Sequence, residues 1–246
     1  MKTTDFIKKQ IEKLPNGHVF SYADFMKQPE QKEAIIKALN RMVAAQQLAK
    51  LAKGKYYKPE ETVFGSLEPD QYQIVKDLLE ANGKVIGYLT GYSIYNKLGL
   101  TTQVSNVIQI GKNDIRSPFE RGRYTISFIK QKNEITKENI PLLQILDAIR
   151  YIRKIPDALP GTSYKRLLRI IKDLSLADQK NMARLLLKYP AATRALTGSM
   201  FEIIGNMQLV KALRKTLNPV TAYKIPGVQK HIDNAENWNI NDTPRK

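Results

Sequence analysis

The chain has 246 residues, 42% of them hydrophobic, enough to fill two globular cores. Forty Lys and Arg against 23 Asp and Glu give a formal charge of +17, which favours a polyanionic partner such as nucleic acid over an acidic small molecule. The absence of cysteine excludes disulfides, thiolate metal sites and catalytic thiols. No run approaches the roughly 18 apolar residues of a membrane span, and the N-terminus lacks a secretory apolar core, so no membrane partner is expected and a cytoplasmic location is.

The charge is uneven. Residues 1–60 carry 12 basic and 6 acidic side chains, residues 61–135 carry 9 and 8, and residues 136–246 carry 19 and 9.

In chain order, Asp5 to Leu14 places Phe6, Ile7, Ile11 and Leu14 on one helical face, and Pro15-Asn16-Gly17 stops the helix. A short strand follows near His18. Ser21 is an N-cap for a short helix over Tyr22–Met26, ended by Gln28-Pro29. A longer helix is expected from Glu30 to Ala45, with Ile35, Ile36, Ala38, Leu39, Met42 and Val43 facing a core. Leu48–Ala52 and Tyr56–Lys58 can then pair across Lys53-Gly54-Lys55. This order, helix, strand, helix, helix, hairpin, is that of a winged helix-turn-helix and predicts a DNA-binding domain over residues 1–60.

On the longer helix Glu33, Lys37, Asn40, Arg41 and Ala44 share the polar side. Lys37 and Arg41 have the chemistry to reach phosphates or guanine edges, and Asn40 suits the paired donor and acceptor on adenine's major-groove edge. Ser21, Lys50, Lys53, Lys55 and Tyr56 are the candidates for the sugar-phosphate backbone. The plainer interpretation is a solvated helix beside a lysine-bearing surface hairpin.

Residues 60–68 are expected to be a connector. A helix is predicted over Pro69–Ala81, stopped by Asn82-Gly83, then a strand over Lys84–Tyr88, a helix capped by Thr90 and ended by Gly99, and strands over Thr101–Ile110 and Arg123–Lys130. These make residues 61–135 a small mixed sheet with helices. From Asn139 the spacing turns helical: Leu142 to Ile152, Tyr164 to Ile171, Met182 to Leu186, Ala195 to Ile204 and Gln208 to Leu217 form a bundle over 136–217, with Ser175 and Asp178 as a cap and Pro190 as a break. Residues 218–246, which hold the single tryptophan, Trp238, are expected to pack back as an extended tail. The fold class is therefore α+β, with a winged helix followed by a mixed domain over 61–246.

The strings LTGYSIYNKLGLTTQVSNVIQI (Leu89–Ile110), KGKYYKP (Lys53–Pro59), FGSLEP (Phe64–Pro69), LNPVTAY (Leu217–Tyr223) and WNI (Trp238–Ile240) resemble AbiEi-like antitoxins of bacterial type IV toxin-antitoxin systems, in a Bacteroidetes-type branch of unknown function. The resemblance implies a transcriptional autoregulator whose winged helix binds inverted repeats of double-stranded DNA at its own promoter. It also implies that the remaining domain counteracts a nucleotidyltransferase-like toxin, with or without direct contact. Without function, Gly99 is a helix stop and Thr101, Thr102 and Val104 begin a strand.

Little points to catalysis. His18 and His231 stand alone, no phosphate-loop string occurs, and no cofactor or metal is expected. Pro156-Asp157 with Asp178-Gln179-Lys180 matches the loose spacing of Mg²⁺-dependent nucleases, so Asp157, Asp178 and Lys180 define the rival enzyme reading. A stand-alone winged-helix repressor is the rival within the same class. Lys165, Arg166, Arg169 and Lys172 cluster on one helix as a second polyanion or partner surface, for RNA or flanking DNA, or else a solvated face.

Overall fold

Helix α1 (Thr3–Glu12) buries Ile7 and Ile11 a turn apart, as the apolar spacing requires, in a computed structural model described here over residues 3–242. The chain is α+β and divides into two compact units. The first runs up to Leu78 and includes Phe119–Thr125; the second holds Leu79–Pro118 and the chain from Ile126 onward, so the boundary expected near residue 60 falls inside the first unit.

In the first unit, strand β1 (Val19–Phe20) leads into a 3-10 helix, Tyr22–Phe25. Ser21 caps that turn reciprocally: its Oγ accepts from the Ala23 N–H and its own N–H donates to Asp24. After a second 3-10 turn at Pro29–Gln31, helix α2 (Lys32–Ala44) buries Ile35, Ala38, Leu39 and Met42. These side chains pack with Ile7, Ile11, Phe20, Phe25, Leu48 and Tyr56 in one core. Strands β2 (Ala49–Ala52) and β3 (Lys55–Tyr57) form a hairpin whose turn needs Gly54, at φ +73°, where a side chain would be strained. With β1 they make an antiparallel sheet in the order β1-β3-β2, Phe20 opposite Tyr56 and Lys50 opposite Tyr56 on the other flank.

The expected connector is instead a second hairpin, β4 (Glu60–Thr62) and β5 (Gly65–Leu67), with Val63 and Phe64 94% and 98% exposed at its tip. Its turn is held by the Thr62 hydroxyl, which donates to the Gly65 carbonyl and accepts from the Phe64 N–H. Helix α3 (Gln71–Leu79) is shorter than its predicted span. Asn82 and Gly83 both take positive φ, so this pair is a hairpin turn joining β6 (Glu80–Ala81) to β7 (Lys84–Val85), not a helix stop.

In the second unit β8 (Gly87–Thr90) is buried throughout, and helix α4 (Tyr92–Tyr95) is preceded by Gly91, not by a Thr90 cap. The strand expected from Thr101 begins only at β9 (Val107–Lys112). In this stretch the Gln103 N–H is taken by Thr101 Oγ1, and the N–H of Val107, where β9 starts, by Ser105 Oγ; side-chain bonds of this kind compete with a ladder. In this unit's sheet β11 (Tyr124–Lys130) lies beside β9 and β9 beside β8, while β10 (Phe119–Arg121) belongs to the first unit.

The predicted bundle is present as α5 (Ile140–Arg150), α6 (Pro160–Lys172), α7 (Leu176–Leu186), α8 (Ala191–Ile204) and α9 (Met207–Arg214). Ser175 caps α7 on the Asp178 N–H, and Pro190 separates α7 from α8. The tail returns as β12 (Tyr223–Lys224) and β13 (Ile240–Asn241), a two-stranded parallel ladder that brings Trp238 into the bundle core. Its last predicted residues, 243–246, lie outside the described range.

Asp147, fully buried in the run LLQILDAI, is the polar centre of this unit. It accepts hydrogen bonds from Tyr88 (2.7 Å), Thr90 (2.8 Å) and Tyr189 (2.8 Å), and Gln131 donates to both tyrosine hydroxyls. Burial pushes its carboxyl up from the ordinary value, opposed by these three hydroxyls and by Arg150.

Candidate nucleic-acid interface

The polar side of α2 lies in solvent. Glu33, Lys37, Asn40, Arg41 and Ala44 are exposed, opposite the buried Ile35, Ala38, Leu39 and Met42, because the 3.6-residue period separates the two sets. Among the described residues Lys37 forms no ion pair, and Arg41 has only a long contact, 3.5 Å, to the Thr4 hydroxyl. Both cations are therefore free for an incoming anion.

Asn40 is pre-set by a partner the sequence reading assigned elsewhere. Tyr56, expected to grip a nucleic-acid backbone, is 3% exposed; its ring stacks on Phe20 and its hydroxyl donates to Asn40 Oδ1 at 3.0 Å. A phenol used this way cannot reach a phosphate. It fixes the Asn40 amide plane and leaves one lone pair on Oδ1 and the amide N–H groups of this exposed residue without a hydrogen bond among the described residues, the set a base edge needs. Tyr56→Phe is expected to cost about 0.5–1.5 kcal/mol of stability from the lost hydrogen bond. Chemical denaturation measures this, and an unchanged midpoint would show that the bond contributes nothing.

The two hairpin flanks differ. Lys50 and Lys53 are exposed, Lys53 at the turn. Lys55 instead pairs with Asp77 at 3.1 Å and is partly covered. The same carboxylate takes a bidentate contact from the buried Arg121, at 2.7 and 3.1 Å, whose guanidinium also donates to the Ile74 carbonyl. Lys55 thus belongs to a structural ion network, which is the correction to its expected role. Ser21, likewise, spends its hydroxyl on the cap of the 3-10 turn.

Burial pushes the Asp77 carboxyl up, but the hydrogen bonds and charge of Arg121, with Lys55, outweigh it and hold the group below its ordinary 3.8. A carboxyl depressed on folding contributes stability that is complete above 3.8 and is lost as pH falls through the lower folded value. Asp77→Asn is therefore expected to lower the melting temperature at neutral pH, with the gap to the parent chain closing below about pH 4. A gap independent of pH would show that charge is not what Asp77 contributes.

Lys165, Arg166, Arg169 and Lys172 are exposed on α6, whose other side buries Tyr164, Leu167 and Ile171. Arg166 is held, its Nε donating to the Leu98 carbonyl at 2.9 Å, in the turn that follows α4. The nuclease residues are employed otherwise: Asp157 sits in the loop before α6 and takes a hydrogen bond from Gln103, while Asp178 lies in the cap of α7 with the Ser175 hydroxyl on its carboxylate at 2.6 Å. Among the described residues no group of three His, Cys, Asp or Glu side chains is placed to hold a metal ion. Nor is any described helix long and apolar enough to cross a membrane.

Sequence reading missed Asp147 and its tyrosines. The available signal was a carboxylate in the middle of an otherwise apolar helix, which is rare without partners.

Fold and surface define an α+β protein of two units, the first carrying a solvent-facing basic helix beside a lysine-bearing hairpin. A family of unknown function, DUF6088, matches residues 6–175, and the chain belongs to that family. Among solved structures the fold is similar to the crystal structure of the RV2827C protein from Mycobacterium tuberculosis, with a TM-score of 0.55 over 90% of this chain and 84% of that chain, at 13% identity. No curated protein matches the chain in sequence.

Proposed function

We propose that residues 3–58 form a winged helix-turn-helix that binds double-stranded DNA, with α2 as the recognition helix and the β2–β3 hairpin as the wing. The observation that carries this reading is the α2 surface itself: two cations without carboxylate partners among the described residues and an asparagine oriented by Tyr56, side by side on one exposed helix face. Lys50 and Lys53 on the neighbouring hairpin supply backbone contacts, while Ser21, Lys55 and Tyr56 act indirectly by holding the elements in place. Ser21 caps the turn, Lys55 joins the Asp77 network, and Tyr56 orients Asn40.

The role built on this domain is transcriptional autoregulation. The resemblance of the Leu89–Ile110 and Lys53–Pro59 strings to AbiEi-like antitoxins extends it to neutralising a nucleotidyltransferase-like toxin, with the second unit as the antitoxin part. The test of DNA binding is a mobility shift on the upstream region of the protein's own gene against unrelated duplex of equal length. Saturable, sequence-selective retardation is expected; equal retardation of both duplexes overturns the regulatory reading. The antitoxin step is tested by co-expression with a nucleotidyltransferase-like reading frame next to the gene, where rescue of growth is expected.

A further inference from the structure

Where β11 ends beside the C-terminus of α5 and the end of α7, a surface cavity of about 170 Å³ gathers Lys130, Lys132, Arg150 and Lys188 around a floor that includes Gln131 and Tyr189. Among the described residues none of the four cations forms an ion pair. Lys188 is positioned by a hydrogen bond to the Lys132 carbonyl at 3.2 Å, and the Arg150 guanidinium lies 5.0 Å from the Tyr151 ring centroid. Behind the floor stands one carboxyl, Asp147, with both oxygens already accepting hydroxyl hydrogens. Even counted as ionised it leaves three positive charges unbalanced, and like charges converging on one concavity raise its potential for an anion.

We propose that this cavity is a binding site for a phosphoryl group. Its volume is below the roughly 300–1,000 Å³ of pockets that enclose a whole small molecule, so only an anionic head enters and the rest of the ligand stays outside. A phosphoryl group offers several charged oxygens to cations arriving from different sides, three lysines as point charges and an arginine as a planar fork. The Gln131-Tyr189-Asp147 net keeps the floor polar and fixed, so the cations need little rearrangement on binding. The group can arrive on a free phosphate compound or on a nucleic-acid strand. Every residue of the site belongs to the second unit, so the site is independent of Lys37 and Arg41.

The experiment is calorimetric titration of the full chain, carrying Lys37→Ala/Arg41→Ala, with inorganic pyrophosphate. A further change, Arg150→Gln/Lys188→Gln, is expected to weaken saturable binding at least about tenfold. All four cations are exposed, so these changes leave the fold intact, which circular dichroism confirms; Lys130→Gln/Lys132→Gln serves as the independent second variant. A single-stranded oligonucleotide, with and without a 5′-phosphate, is added as competitor: displacement by either assigns a nucleic-acid source, and displacement by neither a free phosphate compound. Heat no greater than that of sodium chloride at equal ionic strength, equal binding by the variants, or competition by polyglutamate as strong as by pyrophosphate overturns the proposal.

Discussion

Lys37→Ala/Arg41→Ala is expected to weaken binding to the upstream duplex by about 2–6 kcal/mol, since each contact of this kind contributes roughly 1–3 kcal/mol. The effect is large because neither cation forms an ion pair among the described residues, so its charge is available to the duplex. It is also separable from folding. Both side chains lie on the face of α2 opposite Ile35, Ala38, Leu39 and Met42, and alanine is a better helix former than either. Salt titration adds a second readout, because each phosphate contact removed lowers the slope of log affinity against log salt by about one. A double variant that binds as tightly as the parent, with an unchanged slope, removes α2 from the interface.

Trp238→Ala is expected to destabilise the second unit by about 3–5 kcal/mol, lowering its melting temperature by on the order of 10 °C. The indole is 2% exposed and donates to Glu202 at 2.7 Å; the Arg214 guanidinium lies 5.1 Å from its ring and pairs with the same glutamate. The ring lies so close over α8 that a Cβ on Gly198 would stand 2.2 Å from it. Gly198→Ala is therefore expected to be destabilising as well, and its effect on the single tryptophan can be followed by fluorescence, which Trp238→Ala removes. Calorimetry or circular dichroism decides the first case. A Trp238→Ala chain melting within about 2 °C of the parent would mean the tail is not part of the core.

The bundle and α2 were legible because their information is local. Apolar residues recurring every three or four positions from Leu142 to Ile152 and from Tyr164 to Ile171 leave little choice but buried helical faces, and Ser175 marks a helix start through a hydroxyl three residues from its target. The Leu48–Lys58 hairpin was legible for a similar reason: its glycine sits where a positive φ is needed.

What the amino-acid order alone determined, then, is which segments are helices, where the charge accumulates, and which side of α2 meets solvent. Tertiary structure decided how the polar groups are used. Lys55 reads as a free cation until Asp77 and Arg121 arrive from distant segments, Tyr56 reads as an exposed phenol until Phe20 covers it, and Lys130, Lys132, Arg150 and Lys188 are scattered along the chain until strand and helix ends meet. Periodicity reports the burial of a face, whereas ion pairs, shared hydroxyls and concave clusters depend on residues far apart in sequence, for which no local pattern exists.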